Sequence, residues 1–111
     1  MPEDHGEAAR WYRKSADHGD DIAQFILGSL YYRGDGLKLD YAEAARWYCK
    51  AAEQGFPSAA AALGKMYYAG EGISVDYSEA ASWYRKAAEN GSDEGQFWLG
   101  AFGARQFRKR S

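Results

Sequence analysis

Few side chains in this sequence have the types and spacing that chemistry requires. Histidine occurs only at His5 and His18, and cysteine only at Cys49. A structural zinc site wants clustered nitrogen and sulfur ligands, commonly in closely spaced pairs. Neither histidine has a second one a helical turn away, and no cysteine pair exists. A cysteine nucleophile would want a histidine base beside it, and neither histidine is placed by sequence to serve Cys49. Carboxylates are plentiful, but Asp4, Asp40 and Asp76 read as helix caps, with Glu7, Glu43 and Glu79 three residues later in each case. No unexplained pair is left for acid–base work. The Gly34-x-Gly36 and Gly70-x-Gly72 stretches resemble half of a phosphate loop. No strand pattern precedes them, and no lysine follows at the distance a P-loop requires. The expectation is no catalytic residue, no metal and no cofactor.

The elements that carry these residues repeat. Trp11, Trp47 and Trp83 stand 36 residues apart, within the copies DHGEAARWYRKSADHG (4–19), DYAEAARWYCKAAEQG (40–55) and DYSEAASWYRKAAENG (76–91). Leu27-Gly28, Leu63-Gly64 and Leu99-Gly100 fall at the same period. A fixed period of this length marks a solenoid, in which each unit packs mainly on its neighbours. In the middle copy Tyr41, Ala44, Ala45, Tyr48 and Ala52 follow helical spacing and define one buried face. This helix, type B, ends at Gly19, Gly55 or Gly91, where glycine can take the left-handed conformation. A second helix, type A, is predicted over 21–33, 57–69 and 93–105. Its core stripe is Ala23, Ile26, Leu27, Leu30 and Tyr31 in one unit and Ala59, Ala62, Leu63, Met66 and Tyr67 in the next.

Gly28, Gly64 and Gly100 lie inside type A helices, where glycine costs about 1 kcal/mol relative to alanine. Their common phase predicts the close approach of a neighbouring helix, with alanine pairs such as Ala44-Ala45 facing them. In the loops, Leu37, Leu39, Ile73 and Val75 are expected to turn inward. Trp47-Tyr48 and its copies read as inter-helix packing rather than as ligand-stacking platforms.

Composition bounds the function. The chain has 111 residues, 46% of them hydrophobic and 16% aromatic, which supports a packed core and excludes a disordered chain. No apolar run approaches the ~20 residues of a membrane span, and the polar start does not read as a secretory signal. A cytoplasmic location is therefore expected. The net charge of −2 divides into an acidic body, residues 1–104, and a basic tail holding Arg105, Arg108, Lys109 and Arg110. The acidic body argues against binding nucleic acid through its surface field.

The string L-G-x-x-Y-x-x-G-x-G-x-x-x-D-Y-x-x-A-x-x-W-Y-x-K-A-A-x-x-G resembles the Sel1-like repeat. It stands here as Leu63-Gly64, Tyr67, Gly70, Gly72, Asp76-Tyr77, Ala80, Trp83-Tyr84, Lys86, Ala87-Ala88 and Gly91. The copy from Leu27 to Gly55 matches at the same positions. The resemblance implies an all-α fold, an α/α solenoid similar to tetratricopeptide repeats. The expected form is a right-handed superhelix of about six helices. It divides into a half repeat (4–19), repeats at 20–55 and 56–91, a half repeat (92–105) and a tail (106–111). The ragged ends, with Phe97, Trp98, Phe102 and Phe107 at the C-terminal one, imply either a self-association surface or a cut from a longer protein. The resemblance also implies a non-catalytic scaffold or adaptor whose partner is another protein or peptide. One secreted branch of the family, with paired cysteines, is linked to β-lactam binding, and the lone Cys49 sets this chain apart from it.

In such a solenoid the second face of helix A lines the concave side. Here it reads Ile22, Phe25, Ser29 and Tyr32, then Ser58, Ala61, Lys65 and Tyr68, then Glu94, Phe97 and Ala101. Phe25, Ser29, Tyr32, Lys65, Tyr68 and Phe97 are the candidate partner-binding residues, aromatic anchors being common in interfaces. The competing reading is that Tyr32 and Tyr68 only cover the Gly-x-Gly loops. A small hydrolase, or a nucleic-acid accessory factor acting through the basic tail, are the alternative functions.

Overall fold

A computed structural model describes the backbone of residues 5–110 and the side chains of residues 6–101. Six helices follow one another: α1 (His5–Asp17), α2 (Asp21–Arg33), α3 (Tyr41–Glu53), α4 (Pro57–Ala69), α5 (Tyr77–Glu89) and α6 (Asp93–Arg110). No strand occurs among the described residues. Each helix packs mainly on its neighbours in sequence, most extensively within the pairs α2–α3 and α4–α5, and α4 also touches α6. The result is an elongated array of 58 × 23 × 23 Å, as expected for a helical solenoid.

The helix starts follow from the aspartates. Asp20, Asp40 and Asp76 have extended backbones, and their carboxylates accept from the N–H groups of Ala23, Glu43 and Glu79, each at 3.1 Å. The expected reciprocal bond from the glutamate is not made. Asp40 N–H donates instead to the Tyr31 carbonyl at 3.0 Å, and Asp76 N–H to that of Tyr67 at 3.0 Å. Tertiary bonding thus uses the donor that a capping box would claim, and Glu43 is free to pair with Arg46 at 3.0 Å. Asp4 lies outside the described residues. The turns close in the left-handed region, with Gly34 at φ 69° and Gly70 at φ 71° ending α2 and α4.

The core is built largely of alanines, which let the helices approach closely. Ala44, Ala51, Ala59, Ala61, Ala80 and Ala87 are fully buried around Leu27, Leu63, Met66, Tyr48 and Tyr84. The helical glycines do mark close approach, but the neighbour is chiefly a tyrosine ring. A Cβ on Gly28 would stand 2.9 Å from Cδ1 of Tyr48, and one on Gly64 would stand 3.0 Å from Cδ1 of Tyr84. At Gly100 no described atom lies within 4 Å of that position.

Several expectations are corrected. Leu37 and Ile73 do pack against the core, but Leu39 and Val75 are half exposed. They lie instead over Gly34 and Gly70, where an added Cβ would meet Leu39 Cβ at 3.0 Å and Val75 Cγ2 at 2.7 Å. Helix α6 runs to Arg110, past the expected end at 105. Trp47 is buried against Ala16, Ala23 and Leu27, and Trp83 is partly buried, but Trp11 is 64% exposed. A tryptophan at this phase is covered by the helix pair before it, and no described pair precedes α1. The side chains of Phe102, Phe107 and the basic tail lie outside the described residues.

Candidate functional site: a groove across the type A helices

The three helices that carry the second stripe, α2, α4 and α6, converge on one cavity of about 420 Å³. Helix α2 supplies Phe25, Ser29, Tyr32 and Arg33; α3 supplies Tyr48; α4 supplies Ser58, Ala62 and Lys65; α6 supplies Glu94. Four of the six candidate residues, Phe25, Ser29, Tyr32 and Lys65, therefore share the cavity. Tyr68 is placed elsewhere, with its ring 5.3 Å from that of Tyr77 and 5.5 Å from that of Trp98. Phe97 is 68% exposed on α6, edge-on to Trp98. Within the stripe, Ala61 is fully buried, so it is core rather than groove.

The groove is held from beneath. The Phe25 ring lies 5.6 Å from that of Tyr48 and 5.2 Å from that of Phe56. The hydroxyls of Ser29 and Tyr48 are hydrogen-bonded at 3.0 Å. Tyr32 packs on Tyr41 at 5.0 Å, and its hydroxyl donates to the Glu71 carboxylate, 2.8 Å from each oxygen. Glu71 belongs to the Gly70-x-Gly72 loop, so Tyr32 does tie down a loop, that of the next unit. It also lines the cavity, with Lys65 Nζ 5.5 Å over its ring. Burial, and then the bond to Glu71, push the Tyr32 phenol far above its ordinary range. Burial likewise raises Tyr48. Both remain protonated near neutrality, so neither is poised as a base.

The other chemistry-bearing residues do not join the groove. Cys49 is half-buried against the core, and its thiol donates to Glu53 Oε2 at 3.6 Å. Burial, followed by the Glu53 charge, pushes that thiol up, away from the reactive thiolate. The His18 ring nitrogen Nδ1 donates to the Lys14 carbonyl at 2.8 Å. Among the described residues no cluster of three His, Cys, Asp or Glu could hold a metal.

A second cavity, of about 550 Å³, lies between α1, Leu27 and Leu37. Its cations are already engaged: Arg10 with Glu7, Arg13 with the Tyr31 hydroxyl at 3.0 Å, and Lys14 over the Trp11 ring at 5.8 Å. The sequence also left Arg33 and Tyr48 unremarked as groove residues, and Phe56 as the support beneath Phe25. Arg33 follows Ser29 by one helical turn. Phe56 stands where Asp20 and Ser92 cap their helices, and α4 has no side-chain cap. That departure from the repeat was the visible signal.

The Sel1 repeat family model matches residues 1–20, 21–56 and 57–92. No curated protein sequence matches the chain. Among solved structures, the chain is similar to c5321 of Escherichia coli, described as a protective antigen of uropathogenic strains with an SLR fold. That match has 40% identity and a TM-score of 0.91, covering 96% of this chain and 23% of the other. A Sel1 repeat protein from Oxalobacter formigenes has 41% identity and a TM-score of 0.84, covering 89% of this chain and 40% of that one. Cysteine rich protein B of Helicobacter pylori has 26% identity and a TM-score of 0.80, covering 84% and 70%. The chain thus spans less than half the length of the first two. With its two complete 36-residue units, glycine-punctuated turns and six-helix solenoid, the chain belongs to the Sel1 repeat family.

Proposed function

We propose that this chain is a non-catalytic protein-binding module that takes a partner peptide or protein surface into the α2–α4–α6 groove. Sel1 repeat proteins generally mediate protein–protein interactions, and the assignment of that role to this groove is our reading. The observation that carries it is the convergence of Phe25, Ser29, Tyr32 and Lys65 on one cavity, where Phe25 and Ser29 stand at positions held by Ala61 and Lys65 in the next unit. Apart from the Tyr32/Tyr68 position, the recurring positions are occupied by packing and turns. Those that vary are free to recognise. Tyr68 and Phe97 extend the same stripe beyond the cavity and would contact the flanks of a longer partner. No helix of the described residues is long and apolar enough to cross a membrane.

The test is site-directed photocrosslinking in lysate of the source organism. A photoreactive residue in place of Ser29 reports on the groove, and one in place of exposed Arg85 on a helix B surface. A discrete adduct from position 29 alone, abolished by Phe25→Ala, supports the reading. Adducts from position 85 alone would place the interaction on the other face.

A further inference from the structure

The groove holds two cations that are not ion-paired among the described residues. Arg33, at the end of α2, and Lys65, on α4, both line it and both are exposed. Among the described residues neither makes an ion pair, and Lys65 is engaged only with the face of Tyr32. Two carboxylates are near. Glu71 is held by the Tyr32 hydroxyl, and Glu94 enters the lining from α6. In the Ser29–Tyr48 pair one hydroxyl hydrogen is used and the other is left to donate. Phe25, Tyr48 and Ala62 give the same cavity an apolar surface.

We infer that the partner is an extended peptide segment that sets a carboxylate against Arg33 and Lys65 and an apolar side chain against Phe25, Tyr48 and Ala62. This rests on the docking reading above and adds the partner's chemistry to it. A cationic segment would meet two cations against the single lining acid Glu94. A purely apolar one would desolvate both cations without compensation, which is unfavourable. A carboxylate satisfies both, and a guanidinium recognises it in a two-point geometry.

The experiment pans a phage-displayed library of random peptides on the full chain, on Lys65→Glu and on Phe25→Ala. Each protein is first checked by circular dichroism. The wild type is expected to enrich Asp or Glu close to Phe, Tyr, Leu or Ile. A synthetic peptide of the enriched sequence should bind Lys65→Glu roughly tenfold more weakly, a loss in the range of a reversed interfacial charge. Replacing its acidic residue by lysine should restore binding to Lys65→Glu, a rescue that a misfolded variant could not give. Glu94→Gln should tighten binding of the acidic peptide, and added salt should weaken it. Enriched sequences without acids that bind wild type and Lys65→Glu equally would overturn the carboxylate while leaving the groove in place, provided that Phe25→Ala still abolishes them. Peptides indifferent to both Phe25→Ala and Lys65→Glu would overturn the docking reading as well.

Discussion

One substitution made at two positions of the same repeat phase should have opposite signs. Gly64 and Gly100 both lie inside type A helices, and Gly→Ala in a helix interior gains about 1 kcal/mol from propensity. At Gly100 no described atom lies within 4 Å of the new Cβ, so Gly100→Ala should stabilise by up to about that amount. At Gly64 the Cβ would stand 3.0, 3.0 and 3.1 Å from Cδ1, Cε1 and Cγ of Tyr84. Tyr84 is fully buried and stacks on Trp98 at 5.6 Å, so its ring has little room to retreat. Overpacking of this kind costs about 1–3 kcal/mol. The propensity gain cancels between the two variants. The difference in their stabilities is then the overpacking cost itself, about 1–3 kcal/mol, with Gly64→Ala the less stable. For a domain of this size that separates the melting temperatures by about 4 °C or more. Urea titrations followed by circular dichroism would read it as a shift in midpoint at unchanged slope. If Gly64→Ala proved as stable as Gly100→Ala, the tyrosine contact would not be why glycine stands at this phase.

Alkaline stability should depend on Tyr84. Burial, then the charge of Glu94, raise its phenol in the folded state. The unfolded chain loses that proton near pH 10 while the native state keeps it, so this stability is complete below about pH 10 and is lost as pH rises towards the folded value, with a slope of up to about 1.4 kcal/mol per pH unit. Denaturant midpoints measured from pH 9 upward should fall less steeply for Tyr84→Phe than for wild type. An identical pH slope would count against the burial effect. The Tyr32–Glu71 hydrogen bond should couple α2 to the loop of the next unit. A double-mutant cycle with Tyr32→Phe and Glu71→Gln should give a coupling of about 1 kcal/mol, the net worth of a partly exposed bond to a carboxylate, and a coupling of zero would make that contact incidental. Truncating Leu27, fully buried beneath Trp47, to alanine should cost about 2–5 kcal/mol in urea titrations.

The fold was legible because its determinants are local and occur more than once. Asp40 and Asp76 cap, Gly34 and Gly70 terminate, and the alanine stripes lie at helical spacing. What escaped was decided by contacts distant in sequence. The N–H groups of Asp40 and Asp76 are taken by the carbonyls of Tyr31 and Tyr67, so the glutamate half of the capping box does not form. Leu39 and Val75 cover a glycine surface rather than the core, which a hydropathy pattern does not distinguish. Ala61 reads as groove by phase and is core in fact, because its small size lets the neighbouring helix close over it. Of the candidate site, the stripe located Phe25, Ser29, Tyr32 and Lys65. It did not separate the residues lining the cavity from Tyr68, which packs with Tyr77 and Trp98 beyond it, or bring in Tyr48, which reaches the groove from a different helix.

The tyrosine of helix B links these observations. Its ring fills the notch over the helical glycine, as Tyr48 does at Gly28 and Tyr84 at Gly64. In the first complete unit the same tyrosine also emerges into the groove, where its hydroxyl meets Ser29 and its ring meets Phe25. In the second unit the positions of Phe25 and Ser29 are held by Ala61 and Lys65, and Tyr84 is fully buried. One repeating scaffold residue is therefore pure core in one unit and lines the cavity in the other. The difference lies on the following type A helix, where Trp98 stacks on Tyr84 and Ala62 holds the equivalent position beside Tyr48. Ala62→Trp should therefore leave the solenoid intact, read as unchanged helicity by circular dichroism, and cover Tyr48, read as lost reactivity of a photoreactive residue at position 29.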